Sequence, residues 1–282
     1  MKNNILTLIL FMLFSAVNGQ IKSPSPTQNT DYQIFVLNDV NREINREGMA
    51  SILVNPNSDT LRKYTPLDTY PSAINSFLVQ KGGENILFDT GLGQKIIENL
   101  ASHGVSPDLV SKIFITHGHG DHIGGLLKDG KIVFPNAELY INRKEYDYWI
   151  KENNALFTQV AEAYKNHIQL FDIEKDTIDL QPDIQGIAAY GHTPGHTMYL
   201  IGTGENQILI WGDLTHVMPL QMPHPEQSVT YDVDPVQAAE TRQRVLKSVS
   251  ESHLKVAGMH IPLPSIGKVN ESKTIGYEFE QD

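Results

Sequence analysis

One short stretch, Thr116-His117-Gly118-His119-Gly120-Asp121-His122, carries three histidines and a carboxylate within six positions. Imidazole and carboxylate together form the donor set of a divalent cation of the zinc type. Turn chemistry alone has no use for histidines at alternate positions. Gly118 and Gly120 let the backbone bend tightly, so neighbouring side chains face different ways. One loop can then serve two adjacent ions, with His117 and His119 aimed at one and Asp121 and His122 at the other.

Two ions need more than four ligands, and further candidates stand at the ends of apolar runs. Gly191-His192-Thr193-Pro194-Gly195-His196-Thr197 offers two histidines. His196, after the Pro-Gly turn, is the expected ligand, and His192 is expected to support the loop by hydrogen bonding. Ile208-Leu209-Ile210-Trp211-Gly212-Asp213 ends on a carboxylate that could bridge both ions, and Met259-His260 ends another run on a histidine. His103, His167, His224 and His253 have no evident partner.

Strands must carry these residues. Ile113-Phe114-Ile115 reads as a buried strand that stops where the ligands begin. Other strands are expected at 32–37, 76–80, 85–89, 131–134, 137–141, 187–190, 197–201, 207–211, 256–259 and 274–279, with a hairpin at Lys81-Gly82-Gly83-Glu84. Helices are expected at 92–100, 107–112, 143–151, 154–168 and from Asp234-Pro235 to about Ser250, with Asp234 as cap and Pro235 at the first helical position. The polar stretch 41–71 reads as a functional loop or a mobile segment.

Lys2 followed by the apolar run Ile5 to Val17 resembles a secretory leader, too short for a typical membrane span, cut between Gly19 and Gln20. This implies a secreted or periplasmic protein, with a retained anchor as the rival reading. Residues 20–31, rich in Pro, Ser, Thr and Asn, read as a flexible lead-in, and 32–282 as one large domain. The absence of cysteine excludes disulfides, thiolate metal sites and a thiol nucleophile. A net charge of −11 argues against nucleic acid or anionic membranes as partners. No stable membrane association is expected once the leader is gone, and a homodimer is compatible with the chain.

The Thr-His-Gly-His-Gly-Asp-His loop resembles the signature of the metallo-β-lactamase superfamily. Asp89-Thr90-Gly91, Thr193–Thr197, Gly212-Asp213 and His260 follow in that family's order. The resemblance implies an α+β four-layer αβ/βα sandwich with two divalent ions, most simply zinc, at one edge. It implies His117, His119 and His196 on one ion, Asp121, His122 and His260 on the other, Asp213 shared, and Asp89 orienting ligands from behind.

Phe134-Pro135-Asn136-Ala137, Tyr231–Pro235, His260–Gly267 and Gly276-Tyr277 are similar to the branch holding N-acyl-homoserine lactonases and methyl-parathion-type hydrolases. That branch implies hydrolysis of a lactone ring, the chemistry of quorum quenching. Asp121 would move the proton and His216 would stabilise the carbonyl oxygen. Where known lactonases have a tyrosine three residues after the bridging aspartate, this chain has His216. The acyl tail is expected against Phe77, Trp149 and the 154–168 segment. The rivals are an organophosphate triesterase or arylesterase on the same site, a diiron or persulfide oxidoreductase, and a metal-sequestering protein.

Overall fold

The computed structural model describes residues 32–282, so the expected leader (1–19) and lead-in (20–31) lie outside the described residues. The chain enters as a long strand, β1 (Tyr32–Asn45). Two short helices follow, α1 (Arg46–Ile52) and α2 (Ser58–Tyr64), and it returns as β2 (Thr69–Lys81). Helices thus stand where a loop was expected. Each is started by an asparagine: Asn45 Oδ1 accepts from the Gly48 N–H at 2.8 Å, and Asn57 Oδ1 from the Asp59 and Thr60 N–H groups at 3.0 and 2.9 Å.

The expected hairpin joins β2 to β3 (Glu84–Phe88). Next come α3 (Ile96–Ser102), β4 (Val110–Phe114), α4 (Gly120–Ile123), the small hairpin β5 (Leu127–Lys128) and β6 (Lys131–Ile132), and β7 (Glu138–Asn142). Then follow α5 (Arg143–Lys151), α6 (Ala155–Ala163) and β8 (Ile168–Phe171). The expected helix over 154–168 ends early because Ile168 begins a strand paired with β7. Likewise 107–112 is a single 3-10 turn, Pro107–Leu109, running straight into β4.

The second half comprises β9 (Thr177–Gln181), β10 (Ile184–Ala188), β11 (Thr197–Ile201), β12 (Ile208–Ile210), α7 (Met218–Gln221), α8 (Pro235–Ser252), β13 (Lys255–Ala257), β14 (Ile266–Glu271) and β15 (Tyr277–Gln281). Asp234 caps α8, as expected, by accepting from the Val236 and Gln237 N–H groups.

The strands form a six-stranded sheet, β1-β2-β3-β4-β7-β8, and a seven-stranded sheet, β15-β14-β13-β12-β11-β10-β9. Successive side chains on a strand point to opposite faces, so an unbroken apolar run means burial on both. Phe77, Val79, Ile86, Phe88 and Phe114 face Tyr199, Ile201, Ile208 and Ile210 between the sheets. Their neighbours Leu78, Leu87, Ile113 and Ile115 turn outward against Leu100, Phe157 and Val160 of the first helix layer. In the second sheet, Leu200, Leu209 and Val256 turn outward against Val245, Leu246 and Val249 of α8. The result is the expected αβ/βα sandwich.

β3, β4 and β7 run parallel in one sheet, as do β12 and β13 in the other. Their C-terminal ends bring Asp89, His117–His122, Asp213 and His260 to one edge.

Candidate metal centre

Four imidazoles reach this edge with one nitrogen already committed elsewhere. His122 Nδ1 donates to Asp89 Oδ2 (2.6 Å), His192 Nδ1 to Asp232 Oδ1 (2.8 Å) and His260 Nδ1 to the Ala73 carbonyl (3.0 Å). His117 Nδ1 donates to Thr116 Oγ1 (3.0 Å), whose own proton goes to Asp89 Oδ2 (2.7 Å). Each Nε2 is left facing inward, free to give its lone pair to a cation that displaces any proton there. Asp89 performs its part with a left-handed backbone (φ +57°) and a fully buried carboxylate, which also accepts the Thr116 N–H at 2.7 Å.

His117 Nε2, His119 Nδ1 and His192 Nε2 lie 2.9, 3.1 and 3.2 Å from one another. Lone pairs that close repel unless a proton or a cation sits among them. Zn–N bonds in a tetrahedral site would hold their nitrogens about 3.3 Å apart. Asp213 sits at the centre of the cluster. Its Oδ2 is 3.5 Å from His117 Nε2, 3.3 Å from His192 Nε2, 3.2 Å from His260 Nε2 and 3.0 Å from His216 Nε2. Its Oδ1 lies 3.1 Å from His122 Nε2, yet both of these buried atoms lack a hydrogen-bond partner among the described residues. Burying such atoms unsatisfied is costly, and a cation between them would satisfy both. Asp121 completes the rim, with Oδ2 3.4 Å from His260 Nε2. The donors fit two ions: His117, His119 and His192 could hold one, Asp121, His122 and His260 the other, with Asp213 between.

The expected role of His196 is corrected here. His196 does not join the cluster, and His192 takes the place assigned to it. Both His196 nitrogens are spent: Nδ1 donates to the Ala189 carbonyl at 3.0 Å, and Nε2 accepts the Asp213 N–H at 3.1 Å. Burial, with the charge on His192, pushes its pKa down to about 3, so it stays neutral. Gly212 (φ +60°) has no side chain because the His196 ring occupies that space. His196 therefore seats the backbone of Asp213 rather than an ion.

Sequence reasoning also missed Asp232, Glu145 and Arg242. Glu145 had a legible signal: it lies four residues before Trp149 on the buried stripe of α5. Arg242 is buried and donates to the Leu214, Pro225 and Gln227 carbonyls at 2.7–2.9 Å, with Nη2 3.7 Å from Asp232 Oδ2.

The metal-free cluster divides its charges. Burial keeps His117 neutral, helped by the charge on His122, and pushes His119 down to about 3. Against the same burial, Asp213 and Asp89 raise His122, Asp213 and Asp232 raise His192 to about 9, and Asp213 and Asp121 raise His260. Asp213, opposed by burial, is held well below the carboxylate range chiefly by His122 and His260. A histidine raised on folding stabilises the metal-free protein fully below its ordinary pKa and loses that contribution as pH rises through the folded value. A metal ion must displace the same proton. Zinc affinity should therefore weaken about tenfold per pH unit below about 9 from His192 alone, measured by chelator competition. A flat profile would contradict these charges.

A cavity of about 1050 Å³ opens onto His119, Asp121, Asp213, His216 and His260. Its apolar wall comes from Ile44, Met49, Ile52, Val217, Met218 and Met222, on β1, α1 and the segment around α7. The wall expected at Phe77, Trp149 and 154–168 is elsewhere: Phe77 lies between the sheets, and Trp149, Phe157 and Tyr164 fill the core beneath the first sheet. His216 lines the cavity, its Nε2 3.0 Å from Asp213 Oδ2 and its ring stacked on His260 at 4.8 Å.

Among solved structures, the chain resembles AidC, a dizinc quorum-quenching lactonase in complex with N-hexanoyl-L-homoserine as product. The TM-score is 0.80 with 27% identity, covering 93% of this chain and 96% of that one. It resembles the hydrolase AbOPH of the beta lactamase superfamily similarly, with a TM-score of 0.79, 26% identity and 93% and 98% coverage. Among curated proteins it is 28% identical over 200 residues to an atrochrysone carboxyl ACP thioesterase of Aspergillus chevalieri, covering 65% of this chain and 63% of that one. It is also 28% identical over 156 residues to a hydroxyacylglutathione hydrolase of Tolumonas auensis, covering 52% and 50%. The chain thus spans less than two thirds of the length of these curated relatives. Residues 69–260 match the Metallo-beta-lactamase superfamily. With the sandwich, the edge cluster and this match in hand, the chain belongs to the metallo-beta-lactamase superfamily.

Proposed function

We propose that this protein is a metal-dependent hydrolase that opens the lactone ring of N-acyl-homoserine lactones. The observation that carries the reading is the cavity: a largely apolar chamber of about 1050 Å³ ending on the histidine–aspartate cluster. It suits a substrate with a polar ester head and an apolar tail. The likeness to AidC, solved with an acyl-homoserine, supports the same substrate class. The charge of −11 disfavours polyanionic substrates such as nucleic acid.

Two divalent ions, in our reading zinc, supply Lewis acidity and an activated water when bound. The chain's own residues do the rest. Ile44, Met49, Ile52 and Met218 hold the acyl tail and exclude water from it. Asp121, the carboxylate at the open rim of the cluster, takes the proton of the attacking water and passes it to the departing ring oxygen. His216 is neutral, since burial pushes its pKa down to about 4, and its Nε2–H can turn from Asp213 to the carbonyl oxygen. The neutral imidazole here takes the place of a tyrosine hydroxyl.

The test is acid release from acyl-homoserine lactones by zinc-loaded protein at constant pH. No release from any chain length would rule the substrate out. Tyr64, Tyr70, Tyr231 and Tyr277 also line the cavity and favour a second reading, an aryl ester or aryl phosphotriester. It would prevail if those substrates turned over at least tenfold faster than any lactone. Met218→Trp, which fills part of the chamber, is expected to lower kcat/KM about tenfold for a decanoyl lactone and to spare a butanoyl one. An equal loss on both would put the tail elsewhere.

A further inference from the structure

We infer that Glu145 is a positioning residue that holds the loops bearing His117, His119 and His192 at the spacing one ion requires. The inference rests on the two-ion reading of the cluster. Glu145 is 1% exposed and its carboxylate touches no cation. Oε1 accepts the Gly118 N–H at 2.8 Å and the Trp149 Nε1–H at 2.5 Å. Oε2 accepts the Thr193 hydroxyl at 2.6 Å and the Gly195 N–H at 2.9 Å. Four donors fill both oxygens and leave no room for a carboxyl proton.

The origin of the donors gives the role. Gly118 stands between His117 and His119, on the loop after β4 of the six-stranded sheet. Thr193 and Gly195 follow His192 on the turn between β10 and β11 of the seven-stranded sheet. One carboxylate therefore ties together ligand loops from opposite sheets, from the side away from the cluster. The two glycines are what allow α5 to come so close: a Cβ at Gly195 would strike the Glu145 backbone, and one at Gly118 the Trp149 ring. Among the described residues, the Glu145 carboxylate bonds Gly118, Trp149, Thr193 and Gly195, and none of the other ligand group, Asp121, His122 and His260. His122 and His260 are held instead by Asp89 and the Ala73 carbonyl.

Glu145→Gln keeps the shape but puts an NH₂ where one oxygen was. Whichever oxygen is replaced, the N–H of Gly118 or Gly195 then faces another donor. The two zinc dissociation constants, measured by titration against a chromogenic chelator, should separate. One is expected to weaken 10- to 100-fold and the other to stay within threefold of wild type. Thr193→Val, which removes one donor and leaves the carboxylate, should weaken the same ion about fivefold and remain informative if the glutamine variant fails to fold. Val249→Ala on α8 controls for general destabilisation: it should lower the melting temperature of the metal-free protein without separating the two constants.

Two unchanged constants, or two constants weakened equally as in that control, would overturn the role of Glu145. A wild-type protein that takes up fewer than two zinc ions would instead overturn the two-ion reading on which it rests.

Discussion

Replacing Asp121 by asparagine should reduce lactone turnover by roughly 10²- to 10⁴-fold while zinc stays bound. Asp213 and Asp121 both border the cavity, but only Asp121 has a free edge. The oxygens of Asp213 are enclosed by His117, His122, His192, His216 and His260, and it is 2% exposed. Asp121 Oδ2 meets one imidazole at 3.4 Å and the side chain remains a quarter exposed. Without metal, the positive charges of His122 and His260 overcome burial and lower its pKa, and bound cations in place of those protons would do the same, so the carboxyl is ionised as a proton acceptor must be. Asparagine retains an oxygen for an ion but neither the charge nor the proton capacity. Metal content by mass spectrometry and kcat must be measured on the same preparation. A zinc-replete variant with kcat within threefold of wild type would remove Asp121 from the chemistry.

The largest effect on stability is expected at Arg242. Its guanidinium is 1% exposed, holds the carbonyls of Leu214, Pro225 and Gln227, and lies 3.7 Å from Asp232, whose other oxygen fixes His192. Arg242→Met preserves much of the volume but takes the Arg242 donor from the Leu214 and Pro225 carbonyls, leaves the Gln227 carbonyl only the Gln221 amide, and leaves Asp232 without its nearest arginine. Breaking one side of a buried charge pair costs about 3–5 kcal/mol. For a chain of this size that corresponds to a fall of about 10 °C in the melting temperature of the metal-free protein, read by calorimetry. Adding Asp232→Asn should cost less than it does in the wild type, since the attraction to Arg242 is already gone and only the ionic bond to His192 remains to lose. Additive losses would mean that the two side chains do not act on each other.

Much of the sandwich could be read along the chain. Runs such as Phe77-Leu78-Val79 and Ile208-Leu209-Ile210 are apolar at every position because both faces are covered, and their alternate residues do enter different cores. Among the segments that went unrecognised, α1 and α2 are short and polar, and depend on single asparagine caps and on packing against Val217 and Leu220. The large cavity was misplaced for the same reason. The amphipathic pattern of 154–168 shows a face to bury but cannot say which core receives it.

At the site, spacing alone marked the edge: His117, His119, Asp121 and His122 on one turn, Asp213 and His260 each at the end of a strand. These are local facts, set by where a strand stops and a glycine lets the chain bend. Choosing between His192 and His196 was not local. Four residues apart on the same turn, they differ in what their second nitrogen meets. Asp232, forty positions downstream, turns His192 Nε2 inward, while the Ala189 carbonyl and the Asp213 N–H consume both nitrogens of His196. The sequence by itself determined the donor chemistry and the buried strands, because both follow from residue type and short-range periodicity, while the layered sandwich was implied by the family resemblance. Only the tertiary structure decided which imidazoles keep a free lone pair and where the substrate chamber lies, because each depends on hydrogen bonds and packing between segments far apart in the chain.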